Sequence, residues 1–600
     1  MLDTKKIKTD WNLALLLPND SDIEINAQID AVSKKCLSFI TKWKDRDDYL
    51  LNPVILKEAL GDYEKLQSLG GALGNVGYYI SLKGALYQDD PQVKAKSNKI
   101  EEITLQLAAD LEFFTHKISR VTRQAQTKML SAPELFEYRH LLELLFQQGK
   151  YLLTEPEEKI LTLYSPLSYG NWVRMTSEFI STEERKVLVG GTKKEIKNFP
   201  DLTNLLSDSD VKVRESAAGA IDDIFEKHIK VGEAELNTVL MNQKLGDKLR
   251  GFTRPDAARH LEDDIDSPTV DMLLDVVKSN YEIVHRYYNL KAKLLKLPKI
   301  RYFERNILYK GLDKTFTFDQ AAQLVYGAFL KIDLQFAKVF ESFLYSGQID
   351  VFTKKGKNSS EFCAGGAKSQ PGYVLLNYTG KIEDVSTIAH EMGHAINDEL
   401  VKANQNALMT EISLCLAETA STFFEDFILE ELSETLDEQG KLALSIFRLD
   451  SAVNTVFRQV ACYRFEQDLH NSFREKSFLS KDDIGELFVK NMLEYCGPSV
   501  EMTRNTKNWW LAWPHIRSYF YVYTYAFGFL VSKNLQKLVR SDKSNVEKVK
   551  TFLSAGSSKR PVEILCDIGV DIDDREFWLQ GIREIEVELK IAEKSAERLF

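Results

Sequence analysis

The sequence predicts a mainly α fold on three observations. Apolar residues recur at three- and four-residue spacing along most of the chain. Only 14 prolines and 30 glycines interrupt its 600 residues, and period-two alternation is confined to two short stretches. With 44% hydrophobic and 28% charged residues, the chain has the balance of a globular protein with ample core. Its length allows about four domains, although large helical folds often continue as one body.

From Ile23 to about Ser131 the pattern is helical throughout, as in "LGDYEKLQSLGGALGNVGYYISLKGALYQDD" and "SNKIEEITLQLAADLEFFTHKISRV". "SAPELFEYRHLLELLFQQGKYLL" should open a helix with Ser131 as N-cap and Pro133 in its first turn. A helical hairpin is expected from "STEERKVLVGG" to "EKHIKVGEAELNTVLMNQKLG". Within it, "LLSDSDVKVRESAAGAIDDIFEKHI" has the look of a HEAT repeat, but it occurs once and a solenoid needs several copies. "SPTVDMLLDVVKSNYEIVHRYYNLKAKLLKL" predicts one amphipathic helix or a pair. Strands are expected at about Ile300–Tyr309 and at Gly372–Tyr378, where "GYVLLNY" follows Pro371. After Val385 the pattern is helical almost to the C-terminal residue, and no low-complexity linker marks a domain border.

The net charge of −11, from 78 basic and 89 acidic residues, argues against nucleic acid or an anionic membrane as partner. The apolar run "LALLL" (Leu13–Leu17) is too short for a signal-peptide core. No stretch approaches the roughly 18 apolar residues of a membrane span. Cys36, Cys363, Cys415, Cys462, Cys496 and Cys566 form no CxxC pair. They read as reduced thiols of a cytoplasmic protein.

Chemistry concentrates in "VSTIAHEMGHAINDEL", Val385 to Leu400. On a helix, His390 and His394 lie one turn apart on one face, so both imidazoles can reach one metal ion. Zinc accepts such nitrogens and leaves a position open for water. Glu391, next to the first ligand, can reach that water as a general base without binding the metal. Gly393 has no side chain, so a substrate or a second helix can approach there. The plain alternative is a helix that happens to carry two histidines.

A third ligand is needed. "ALMTEISLCLAETASTFFEDFILEEL" reads as one long helix with Glu411, Glu418 and Glu425 seven residues apart. Glu418 is favoured as ligand because Ala417, Ala420 and Ser421 let its helix pack closely; Glu411 is the rival. Glu425 suits an outer role, holding a histidine's free N–H and fixing its tautomer. Ordinary salt bridging between helices would account for Glu425 but poorly for Glu418.

"WPHIRSYFYVYTYAFGFL" carries His515 with Tyr519, Tyr521, Tyr523 and Tyr525. Most of these rings read as core. Buried phenols need hydrogen-bond partners, however, and imidazole and phenol donors suit an oxyanion. His515 with Tyr521 and Tyr523 is the candidate set, although the spacing alone does not single out the tyrosines. In "GYVLLNY", residues Tyr373, Leu375 and Asn377 form a candidate substrate strand, whose exposed edge would hold an extended peptide. A plain structural strand is the other reading.

With these pieces in place, the chain resembles the oligoendopeptidase F group of the thimet-oligopeptidase-like zinc metallopeptidases. "WNLALLLPNDSD" resembles the group's opening, and the helices to about Val121 resemble its N-terminal domain. "GYVLLNYTGKIEDVSTIAHEMGHAIN", "LAETASTFFE" and "YCGPSVEMTRNTKNWWLAWPHIRSYFYVYTYAFG" resemble the catalytic part.

The resemblance implies one zinc ion per chain on His390, His394 and Glu418, with Glu391 as base and Glu425 behind the ligands. It also implies His515 and nearby tyrosines over the scissile carbonyl. It implies a large multi-helix ellipsoid of two lobes around a deep channel, with a small β-sheet beside the metal-binding helix, acting on short unfolded peptides. It divides the chain into an N-terminal helical domain (1–121), a helical connection (122–200) and a catalytic domain (201–600).

Three departures stand out: Asn397 where many relatives carry a histidine, "NSSEF" in place of a more glycine-rich loop, and Glu304 where an aspartate is common. An exopeptidase on the same scaffold would need a fixed charge to capture a terminus, and no residue is singled out for that. A non-catalytic peptide-binding scaffold is opposed by the intact base and ligand candidates.

Overall fold

The computed structural model describes residues 2–164, 168–312 and 314–599. Helices account for 70% of the structure and the sheets are small, so the mainly α expectation holds. Two compact units are each built from three stretches of chain: 1–155, 313–435 and 532–571 in the first, and 156–312, 436–531 and 572–600 in the second.

The first unit begins with helices at Asp22–Trp43, Pro53–Ser68, Gly74–Leu86 and Pro91–Leu111. Their starts follow from local chemistry. Ser21, Asn52 and Asp90 accept N–H bonds of the first turn, and prolines at 53 and 91 occupy positions that need no donor. Trp43, Tyr49, Leu56, Leu60, Phe114 and Leu142 fill the core beneath them. Ser131 is not an N-cap: it ends the helix Arg123–Leu130, and a 3-10 turn at Pro133–Tyr138 precedes the helix Arg139–Gln148.

In the second unit, "RKVLVGGTKKEI" overturns the helical expectation. Strands β1 (Arg185–Val189) and β2 (Thr192–Ile196) form an antiparallel hairpin. Gly190 and Gly191 both have positive φ, 58° and 79°, as a two-residue hairpin turn requires. The single HEAT-like stretch belongs to one 40-residue helix, Val211–Arg250, about 60 Å long at 1.5 Å per residue. The amphipathic segment after it is a pair, Ser267–Ser279 and Glu282–Leu294. Of the strand expected to reach Tyr309, only β3 (Ile300–Arg301) forms, and Tyr302–Glu304 is a 3-10 turn.

Strands β4 (Ile349–Phe352), β5 (Phe362–Ala364) and β6 (Tyr373–Tyr378) form the first unit's sheet in the order β4-β6-β5. The short strand β7 (Val500–Glu501) pairs with β3. Because β6 is the middle strand, parallel to β4 and antiparallel to β5, it offers no free edge. The expectation that Tyr373, Leu375 and Asn377 present one is corrected. Tyr373 is buried with its hydroxyl donated to Asn12 O, and the Asn377 amide donates to Asn358 O. The outer strand on that side is β5.

The chain leaves β6 through Thr379-Gly380-Lys381 and enters the helix Ile382–Asn404. Asp384 fixes this corner: its Oδ2 accepts the N–H groups of Thr379, Gly380 and Lys381 at 2.7, 2.7 and 3.0 Å. An anionic cap at a helix start also complements the helix dipole. Gly380 takes φ +99°, a region most residues avoid.

Candidate metal centre

His390 and His394 lie on the helix Ile382–Asn404, and Glu418 lies on the neighbouring helix Leu414–Ser433. The two helices meet at Gly393. A Cβ there would stand 2.7 Å from Ser421 Cα and 2.8 Å from Ala420 O. The small residues thus permit the approach that brings donors from both helices together. One donor atom from each of His390, His394 and Glu418 can be chosen so that all lie within 4.8 Å of one another.

His390 Nε2 is 3.6 Å from Glu418 Oε2, while His390 Nδ1 is 2.6 Å from Glu425 Oε1. A carboxylate at Nδ1 holds the proton on that nitrogen and leaves the Nε2 lone pair for a metal. Ser421 Oγ donates to Glu418 Oε2 at 3.1 Å. Glu411 precedes the helix, which starts at Leu414, so its seven-residue spacing carries no facial meaning. The cluster contains Glu418 and not Glu411.

Charge is concentrated here. Burial opposes a proton on His390, but Glu425, Glu391 and Glu418 outweigh it and lift its pKa to about 9. For His394, burial and the neighbouring His390 charge lower the pKa to about 4. Glu391 is buried, and its pKa rises to about 7. Burial is the main cause, His390 pulls the other way, and Glu418 and Glu361 add to the rise.

The remaining expected residues fall out differently. His515 Nδ1 is hydrogen-bonded to the Tyr521 hydroxyl, and Tyr525 packs beside both rings. These residues belong to the second unit. Burial, then the Arg458 charge, lower the His515 pKa to about 4. The buried ion pair of Arg517 with Glu235, bonds of 2.7 and 2.6 Å, anchors this segment on the long helix Val211–Arg250.

Tyr523 is fully buried and donates to Asp263 Oδ2 at 2.7 Å. Its expected place over a scissile carbonyl is corrected to one in the core. Tyr519 is likewise committed, donating to Val239 O at 3.1 Å.

Of the departures, Asn397 is buried with its amide donating to Leu553 O at 2.7 Å, and Glu304 is buried between Arg214 and Arg301. Both have structural partners. Sequence reasoning missed Asp384, although an acidic residue three positions into a helix is a readable capping signal. It also missed β5, whose three residues are too short for periodicity.

The model of peptidase family M3 matches residues 204–584, and that of oligopeptidase F matches residues 117–182. An oligoendopeptidase F homolog of Borreliella burgdorferi is 26% identical over 575 residues, covering 94% of each chain. One from Lactococcus lactis is 24% identical, covering 89% of this chain and 90% of that one. Among solved structures, oligoendopeptidase-F from Enterococcus faecium superposes with TM-score 0.71 at 19% identity, covering 96% of this chain and 99% of that one. A chain from Chlamydophila abortus superposes with TM-score 0.82 at 22% identity and 98% coverage of both. These two likenesses concern the fold.

Proposed function

Because the chain belongs to peptidase family M3, we propose that it is a zinc-dependent oligoendopeptidase cutting internal bonds of short, unstructured peptides. It is a metallopeptidase of the oligopeptidase type by family. The metal, the base and the preference for internal bonds are the proposed parts. The observation that carries the reading is the gathering of His390, His394 and Glu418 donors within 4.8 Å, with Glu391 on the same helix.

Two imidazole nitrogens and one carboxylate are the donor chemistry of a catalytic zinc site, so the residues fit the ion. A bound zinc ion would supply Lewis acidity, polarising the scissile carbonyl and acidifying water. Glu391 takes the proton of the attacking water and passes it to the leaving amine. Glu425 holds the His390 ring in orientation. Neutral His515, with the Tyr521 hydroxyl on Nδ1, keeps an Nε2–H, a donor of the kind that suits an oxyanion. The outer edge of β5 offers backbone groups to an extended peptide, replacing β6 in that role. Cys36, Cys363, Cys462, Cys496 and Cys566 are free thiols, the state that a reducing cytoplasm maintains.

An internally quenched peptide blocked at both ends tests the reading. The wild type should cut it with about one zinc per chain, and Glu391→Gln should keep the zinc and lose about 100-fold or more in turnover. Cleavage of unblocked peptides alone would make it an exopeptidase, and a fully active Glu391→Gln would remove the base.

A further inference from the structure

The second unit holds a half-open pocket of about 140 Å³ walled by Tyr302, Arg305, Arg458, Phe488, Trp509 and Trp513. Two cations face one small space. Arg305 is 7% exposed and lies over the Tyr302 ring at 4.2 Å, and Arg458 lies over the Trp513 ring at 5.6 Å.

Among the described residues neither guanidinium forms an ion pair with a carboxylate. The one side-chain hydrogen bond of Arg305 goes to Tyr302 O at 2.8 Å. The Nε of each arginine and Nε1 of Trp513 are buried with no hydrogen-bond partner. Arg458 is partly exposed, but three buried unused donors beside two like charges with no carboxylate partner still favour a negative charge among them.

We propose that this pocket is a binding site for a small monovalent anion of the halide class, chloride in the cell, held by Arg305, Arg458 and Trp513. The walls select the class. Five aromatic side chains line the space, Phe199 with the four named above, and cannot replace the hydration of a phosphate or sulfate dianion, whose desolvation is far more costly than that of chloride. Arginine, weakly hydrated and rich in donors, suits such a partner.

Thermal unfolding of the full chain in sodium chloride against sodium gluconate, at constant ionic strength, tests the site. Wild type should gain Tm along a saturating chloride curve, as a ligand bound only by the folded state does. Arg458→Gln should need about tenfold more chloride or show no gain. In gluconate it should be at least as stable as wild type, because one repelling charge is gone. Equal chloride responses in the two proteins, or a variant weaker in both salts, would overturn the site.

Crystals of the wild type soaked in bromide supply a second measurement independent of any variant. An anomalous peak between Arg305 and Arg458 supports the proposal, and density for water alone defeats it. A stabilisation by phosphate with none by chloride would defeat the halide assignment.

Discussion

Glu425 Oε1 lies 2.6 Å from His390 Nδ1, seven residues along the same helix from Glu418. Two turns of helix thus separate the proposed metal ligand from the carboxylate that meets His390. Glu425→Ala frees the ring to rotate and to change tautomer. Zinc affinity should fall about 10- to 100-fold, measured by competition with a chelator, and Glu425→Gln should recover part of it. An unchanged affinity in the alanine variant would leave Glu425 as an ordinary salt-bridge residue.

Gly393 tests whether helix contact sets the ligand geometry. A Cβ would press on Ser421 Cα at 2.7 Å and on the Ala420 carbonyl oxygen at 2.8 Å. Both are backbone atoms and cannot swing aside. Gly393→Ala must therefore part the helix of His390 and His394 from the helix of Glu418. Urea denaturation should show a loss of about 1–3 kcal/mol, with weaker zinc binding alongside. Native stability together with native affinity would show that the helices tolerate separation.

The paired histidines were legible because their relation is local: four residues on a helix define it. Glu418 was legible through the small residues around it, which foretold close packing. The rival Glu411 falls outside that helix: a seven-residue spacing has meaning only inside one helix, and this helix begins at Leu414 after Ser413 in the N-cap position.

The tyrosines illustrate the other limit. Tyr519 and Phe520 both take positive φ, 48° and 60°, so the residues before the helix fan out in directions no periodicity predicts. The partner that draws Tyr523 into the core, Asp263, is 260 residues away. Likewise, β6 has the composition of a strand, but its central position depends on β4 and β5, which are four and three residues long and too short for periodicity to reveal.

This difference between the tyrosines gives a paired prediction. Tyr521→Phe removes the hydroxyl on His515 Nδ1 and with it the group that fixes the imidazole proton. Turnover should fall about 10²–10³-fold if His515 donates to the oxyanion, with KM little changed. Tyr523→Phe instead leaves Asp263 without one donor, so it should lower stability by about 1–3 kcal/mol and leave turnover of the folded enzyme near normal. Stopped assays on both variants, with Tm as control, separate the roles. A Tyr523→Phe enzyme with native Tm and lost turnover would reverse them.

Glu466 sets a pH dependence of stability that one substitution isolates. Its carboxyl is 1% exposed, and Oε1 accepts the Phe520 N–H at 2.9 Å, pinning the left-handed turn before the tyrosines. Burial raises its pKa from 4.5 to about 8, against the pull of the Phe520 N–H. Below about pH 4.5 the group is neutral in folded and unfolded chains alike and adds no pH dependence. From there to about 8 the folded protein holds a proton that the unfolded chain has lost. Each pH unit of rise therefore costs about 1.4 kcal/mol, and the loss is complete once the folded carboxyl ionises. Glu466→Gln keeps an oxygen acceptor for Phe520 and never ionises. Denaturation curves at pH 5, 6, 7 and 8 should show the variant gaining on the wild type at each step. Parallel curves across that range would mean that Glu466 is already charged in the folded protein, with a counter-charge compensating it.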